Sequence, residues 1–374
     1  MSDLFGKTKT YRLLGWRILY VLLLFGCGGT GDYPQNIILF IGDGMGVAHI
    51  TAGKIAAGTL HLERFPVSGL VSTHSANQLV TESAAATTAL ATGKKTNNQA
   101  VSVLPDGTPL KTLFEYARDL GKSIGVVVTS SVTHATPAAF MAHVDNRYKE
   151  AEIAEQIVNS GIDVLIGGGW AYFAPASSQG SRRKDDKNLL AVLESRMPLV
   201  LNAEKISAYS DSQKLAALLA PHGLPAAAAR DYKLARLTRT AIQILSKNAN
   251  GFVLMVEGSQ IDWAAHDKDA STIISEILDL DEAVGAALNF AQSAGHTLIV
   301  VTADHETGGF AVHDGSIQDR QVSATAFTTG GHTASMVPIF AYGPSSADFS
   351  GILDISRVGQ ILIDRLHKRK TPLQ

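Results

Sequence analysis

From Asn36 onward, short runs of continuous apolar residues alternate with stretches in which apolar positions recur every three or four residues. The runs NIILFI (36–41), SIGVVVTS (123–130), DVLIGG (163–168), GFVLMV (251–256), HTLIVVTA (296–303) and VPIFAY (337–342) are rich in Val and Ile and show no polar alternation. Such runs suit strands buried on both faces. Between them, Leu234, Leu237, Ala241, Ile242 and Leu245 fall on one helical face. Ile277, Leu280, Val284 and Leu288 do the same within 273–290. Strands alternating with amphipathic helices predict an α/β fold, a three-layer α/β/α sandwich with a largely parallel central sheet. Residues 175–230 carry no strong strand pattern and include SSQGSRRKDDKN. They are expected to form a helical and loop excursion within a single domain spanning 36–368.

The N-terminus follows a different pattern. Lys7, Lys9, Arg12 and Arg17 precede an apolar core, ILYVLLLF, at 18–25. A positive region before a short apolar run reads as a signal peptide, here 1–26, and the core is too short to span a bilayer. The run ends LFGC, which is similar to the lipobox in which a cysteine is lipidated and becomes the first mature residue. Cys27 is therefore the expected lipid anchor, residues 27–35 a tether, and the remainder exported, to the periplasm or to a membrane surface. Cys27 is also the chain's single cysteine, so no internal disulfide and no thiolate zinc site can form. A formal net charge of −2 over 374 residues gives no electrostatic footprint for nucleic acid.

Candidate chemistry gathers where the predicted strands end. Asp43 follows the first run, in GDGMG. His134 and Thr136 follow the second, and Glu257, Asp262 and His266 follow the fourth. Asp304 and His305 follow the fifth, and His332 lies in TTGGHTA before the last. Ligands in open α/β sheets bind beyond the carboxyl ends of the strands, so the metal site is expected there. Asp262 and His266 share a helical face at i, i+4. His61, His222 and His367 stand outside this pattern and read as structural or solvated. IGGGW (166–170) reads as a tight turn, and GDGMG does not have the glycine spacing of a dinucleotide loop.

The ordered motifs GDGMG, TESAAATTA, THATPAAFMAHVDNR, VEGSQIDWAAH, TADHETGG and GGHTAS resemble those of the alkaline phosphatases, over about Asn36 to Pro344. The resemblance implies metal-dependent hydrolysis of phosphate monoesters through a phosphoserine on Ser83, in a homodimer of compact bacterial type. It implies two Zn2+ and one Mg2+ per chain. Asp262, His266 and His332 would hold one zinc, and Asp43, Asp304 and His305 the second. Asp43, Thr136 and Glu257 would hold magnesium, and Arg147 would bind the phosphate. Glu82 replaces the Asp that commonly precedes the serine and is expected to orient Arg147. His134 and Trp263 occupy positions where certain members carry Asp and Lys around the magnesium and the phosphate. The small residues after Ser83 would let its helix approach a crowded metal cluster.

Two other readings remain open on the sequence. One is a phosphodiesterase, sulfatase or phosphomutase on the same scaffold. The other is a non-catalytic surface protein that binds phosphate or metal.

Overall fold

The six apolar runs become six contiguous strands of one sheet. In chain order the sheet strands are β1 (Asn36–Gly42), β2 (Val67–Ser72), β3 (Ser123–Ser131), β4 (Val164–Gly168), β5 (Leu199–Val200), β6 (Leu215–Leu218), β7 (Phe252–Gly258) and β8 (Thr297–Thr302). Two short pieces, β9 (Glu306–Thr307) and β12 (His332–Thr333), pair with each other, and β10 (Phe310–Ser316) and β11 (Gln321–Phe327) form a hairpin. β13 (Val337–Tyr342) and β14 (Gly351–Asp354) complete the set in this computed structural model, which describes residues 33–366. The signal segment, Cys27 and His367 lie outside the described residues.

The ten-stranded sheet runs β14-β2-β13-β8-β1-β7-β3-β4-β6-β5. β1 lies between β7 and β8, both parallel to it, with Ile37 level with Val253 and Leu298. β13 is antiparallel to both its neighbours. β1, β3, β7 and β8 are buried along almost their whole length, which is why their sequences show runs and not alternation.

Helices cover both faces. α1 (Val47–Ala57), α7 (Leu234–Leu245) and α9 (Ala270–Ala294) pack together on one side. α2 (Ser83–Thr92), α3 (Leu113–Asp119), α4 (Ala135–Met141), α5 (Glu150–Asn159) and α10 (Ile355–Leu366) form the other. α6 (Leu189–Glu194) packs on α5, and α8 (Gln260–His266) on α9. All ten residues of α2 are buried, between α4 and α10. A Cβ on Gly359 of α10 would come within 2.2 Å of the Ala89 carbonyl oxygen, so the close approach needs glycine there and small residues on α2.

The stretch 175–230 departs from its expectation. It contributes β5 and β6, which extend the sheet beyond β4. β6 is LAAL, with no β-branched residue, so its propensity points to helix. Pairing with β4 and complete burial decide otherwise.

Candidate active site

The sheet delivers the site from the ends of four central strands. Asp43 follows β1 in a turn where Gly44 has φ +72°. A Cβ on Gly44 would sit 2.7 Å from Thr307 Oγ1, so the glycine is required both by its conformation and by space. Glu257 lies in β7, and α8 begins three residues later with Asp262 and His266. Asp304 and His305 follow β8. Past the end of β3, His134 stands at the N-cap of α4, and Thr136 lies in its first turn.

Ser83 is the first residue of α2, 2% exposed, with Oγ 3.4 Å from His305 Nε2. Glu82 is the N-cap of this helix and accepts from the backbone N–H groups of Ala84 at 3.0 Å and Ala85 at 2.9 Å. The same carboxylate accepts from Gln99 N–H at 2.8 Å and from Arg147 Nη1 at 2.5 Å. The expected contact with Arg147 is therefore present, and a capping role comes with it. Burial pushes the Glu82 carboxyl up, but Arg147 and the three backbone donors outweigh it and hold the pKa below its usual value.

Two groups of ligand-type side chains flank Ser83. In one, Asp262, His266 and His332 bring a donor atom each to within 4.8 Å of one another. His266 Nδ1 donates to Gly330 O at 2.7 Å and His332 Nδ1 to Thr81 O at 2.9 Å. Both Nε2 atoms then turn inward, 3.2 Å apart. Asp43, Asp304 and His305 form the second group, with His305 Nε2 3.4 Å from Asp43 Oδ1 and 3.3 Å from Asp304 Oδ2. Thr307 Oγ1 donates to Asp262 Oδ1 at 2.5 Å and accepts from His305 Nδ1 at 3.2 Å, which fixes the tautomer with the His305 Nε2 lone pair facing the carboxylates. Thr307 thus links both groups. It lies inside the motif TADHETGG, but a threonine there gives no sequence signal of its own.

The third group joins Asp43 and Glu257 with His134. The sequence placed His134 in the surroundings, whereas the structure brings its ring level with the two carboxylates. Arg147 Nη2 lies 2.9 Å from His134 Nε2, and because a guanidinium only donates, that lone pair is engaged. Asp43, Glu257 and the Thr136 hydroxyl are left as an all-oxygen set. Trp263 is half-buried, edge-on to His134 at 6.2 Å between ring centroids, and packed on Gly223.

Electrostatics at this position demand cations. Burial first, then the charges of Asp304, Asp262 and Glu257, raise the Asp43 pKa well above the carboxylate range. Burial likewise lifts Glu257 to about 8 and Asp304 to about 6. Burial would raise Asp262 too, but His266 and His332 outweigh it and hold it well below the usual range. Its carboxylate in turn lifts His266 to about 9. Burial lowers His305 to about 3, so its imidazole is neutral and free to donate a lone pair. Both Asp43 oxygens, Thr136 Oγ1, Glu257 Oε1, His134 Nδ1 and Asp304 Oδ2 are buried without a hydrogen-bond partner. Each such atom costs about 1–3 kcal/mol, and a bound cation is what relieves so many carboxylate oxygens at one place. The donor sets fit metals: imidazole with carboxylate in two groups, oxygen alone in the third.

The comparisons with known proteins agree. The family model for alkaline phosphatase matches residues 34–321. Alkaline phosphatase 3 of Bacillus subtilis (strain 168) is 32% identical, covering 89% of this chain and 89% of its own. Among solved structures, alkaline phosphatase from the Antarctic bacterium TAB5 is 40% identical with a TM-score of 0.82, covering 89% of this chain and 98% of its own. A variant of that enzyme with aspartate in place of a histidine has magnesium bound in its M3 site. The enzyme of Thermus thermophilus is 26% identical, also with a TM-score of 0.82, covering 90% of this chain and 92% of its own. The chain is an enzyme that hydrolyses phosphate monoesters, and it belongs to the alkaline phosphatase family.

Proposed function

We propose that hydrolysis proceeds by transfer of the phosphoryl group to Ser83 and then to water. The observation that carries this reading is three neighbouring ligand groups, one of them touching Ser83 Oγ through His305, and a half-buried arginine held by the Glu82 that precedes this serine at a helix N-terminus. Ser83 Oγ attacks phosphorus, the ester P–O bond breaks and the alcohol departs with a proton. Water then cleaves the Ser83–phosphate bond and releases inorganic phosphate. Arg147, held by Glu82, presents its planar fork to two phosphate oxygens, which a lysine could not do. The positive end of the α2 dipole at Ser83 favours the phosphate's charge, while the Ala84 and Ala85 N–H groups are held by Glu82. Thr307 keeps His305 in the tautomer that serves Ser83.

Zn2+ on Asp262, His266 and His332, Zn2+ on Asp43, Asp304 and His305, and Mg2+ on Asp43, Thr136 and Glu257 would supply Lewis acidity and a water of lowered pKa. The engaged lone pair of His134 supports magnesium at the third set, because oxygen donors suit the harder ion. The N-terminal pattern supports export with Cys27 as a lipid anchor, and the family resemblance supports a homodimer. Among the described residues no helix is long and apolar enough to cross a membrane.

The test is covalent trapping. Protein quenched in acid during turnover carries phosphate on Ser83, detectable by mass spectrometry. Ser83→Ala loses the label and several orders of magnitude of turnover while retaining its metals. A label on another residue, or loss of both zincs from Ser83→Ala, would overturn the assignment.

A further inference from the structure

A cleft of about 630 Å³ opens beyond the carboxyl ends of β4 and β6, on the same edge of the sheet as the catalytic groups and next to β3. Trp170, Gln179, Arg182 and His222 line it, with Gly180, Ser181 and Pro221. No carboxylate is among its lining residues. His222 stands edge-on to Tyr172 with ring centroids 6.0 Å apart. Arg182 is exposed and, among the described residues, no carboxylate lies within ion-pair distance of it. The walls are an aromatic face, an imidazole, an amide and one unpaired guanidinium.

Trp263 stands between His134 and the backbone at Gly223, next to the cleft residue His222. That ring stands edge-on to His134, which touches Arg147. Its far edge meets the backbone of Gly223, where a Cβ would lie 2.6 Å from Trp263 Cη2, and the preceding residue is His222. Trp263 is thus shared between the surroundings of Arg147 and the backbone that carries His222.

The cleft is built, not a gap under a loose loop. The exposed-looking sequence SRRKDD places its two arginines in opposite roles. The Arg183 side chain is fully buried: Nε donates to Asp185 at 2.7 Å, Nη2 to Glu155 at 2.7 Å, and Nη1 to the carbonyls of Ala151 at 3.0 Å and Tyr172 at 3.2 Å. Ser181 Oγ donates to Ala174 O at 2.7 Å and Arg182 N–H to Ala171 O at 2.8 Å. Gly180, at φ +83°, lies against the Trp170 ring. With its neighbour locked, Arg182 projects into the cleft from a fixed backbone, so little ordering is left to binding.

We propose that this cleft is the leaving-group subsite, and that it selects small phosphate monoesters whose alcohol carries a planar ring and a second anionic group. The ring lies against Trp170 and His222, Gln179 hydrogen-bonds its edge, and Arg182 pairs with the second anion. The proposal rests on the hydrolytic reading above and adds the substrate class.

The test compares adenosine 3′,5′-bisphosphate with glycerol 1-phosphate on the metal-loaded full chain. Arg182→Ala should lower kcat/KM for the bisphosphate about tenfold, the scale of one charged contact. Glycerol phosphate turnover and the inhibition constant of inorganic phosphate should change less than about twofold, since neither reaches the cleft. Arg182→Lys should recover part of the loss, and His222→Ala should act in the same direction as Arg182→Ala. Equal losses on both substrates would make the cleft merely structural, and no loss on either would show that it is unused; each overturns the proposal. Failure of the underlying reading would appear separately, as activity surviving in Ser83→Ala.

Discussion

Glu82 concentrates more structural work than any other side chain near Ser83. Its carboxylate takes four donors, two from the first turn of α2, one from Gln99 and one from Arg147. Helix start, nucleophile and phosphate clamp are therefore set by one group. Glu82 reaches Arg147 from the N-cap position itself. Glu82→Gln keeps an acceptor for the cap but loses the charge that orients Arg147. It should weaken inhibition by inorganic phosphate about tenfold, or ~1.4 kcal/mol, with little change in melting temperature. Glu82→Ala removes the cap as well and should cost about 1–2 kcal/mol of stability in addition. Thermal melts and phosphate inhibition constants for the two variants separate these effects. An unchanged inhibition constant in Glu82→Gln would show that Arg147 is oriented by something else.

At the scale of elements, what could be read from the sequence depended on how each element is stabilised. β1, β3, β4, β7, β8 and β13 are legible because burial on both faces forces apolar runs. β2 escapes because its burial alternates and it carries serine and glycine. β5 and β6 escape because two to four residues of Leu, Val and Ala exist as strands only through pairing with the sheet. The ligand-type side chains that the structure gathers were legible from motifs and their place after strands. The contacts that set their tautomers were not, since Thr81 and Gly330 contribute only carbonyl oxygens. The loop after Ala174 looked solvated because charge hides burial: Arg183 is enclosed while Arg182, beside it, is not. Arg183→Lys should destabilise the protein by roughly 2–3 kcal/mol, the scale of hydrogen bonds to a charged group. That is less than the 3–5 kcal/mol typical of a broken, fully buried pair, because Glu155 and Asp185 are 34% and 44% exposed and can rehydrate. Lysine keeps the charge but not the fork. Urea melts of the metal-loaded protein measure the loss, and a change below about 0.5 kcal/mol would mean that the clamp is not a stabilising element.

For the whole molecule, the site sets a conflict between folding and charge that metals resolve. Asp43, Glu257, Asp262 and Asp304 are all buried where the central strands end. In protein stripped of divalent ions, Glu257 holds its proton up to about 8, against 4.5 in the free group, and Asp304 up to about 6, against 3.8. Between those limits the folded state binds more protons than the unfolded state. Through these two groups stability falls as pH rises, but below 6.5 the buried His305, His134 and His49, lowered to about 3, 3 and 4, act in the opposite direction, so the net fall sets in above 6.5. His266 adds in the same direction, because its folded value of about 9 lies above 6.5, so the stability it contributes below 6.5 is lost on the way to 9. Asp262 acts only below its usual range, where its depressed pKa makes acid destabilising, and does not oppose the trend at neutral pH. Bound cations reverse the dependence, since they hold the carboxylates deprotonated and bind more tightly as protons leave. The melting temperature of chelator-treated protein should therefore decline from about pH 7 to about pH 9, while that of the metal-loaded protein should not. Glu257→Gln removes the largest raised carboxylate value and should flatten the decline in the chelated protein between about pH 7 and pH 8. Calorimetry of both proteins in both states decides it. A level profile for the chelated wild type, or the same slope with metals bound, would show that the carboxylate cluster does not hold the charge conflict argued here.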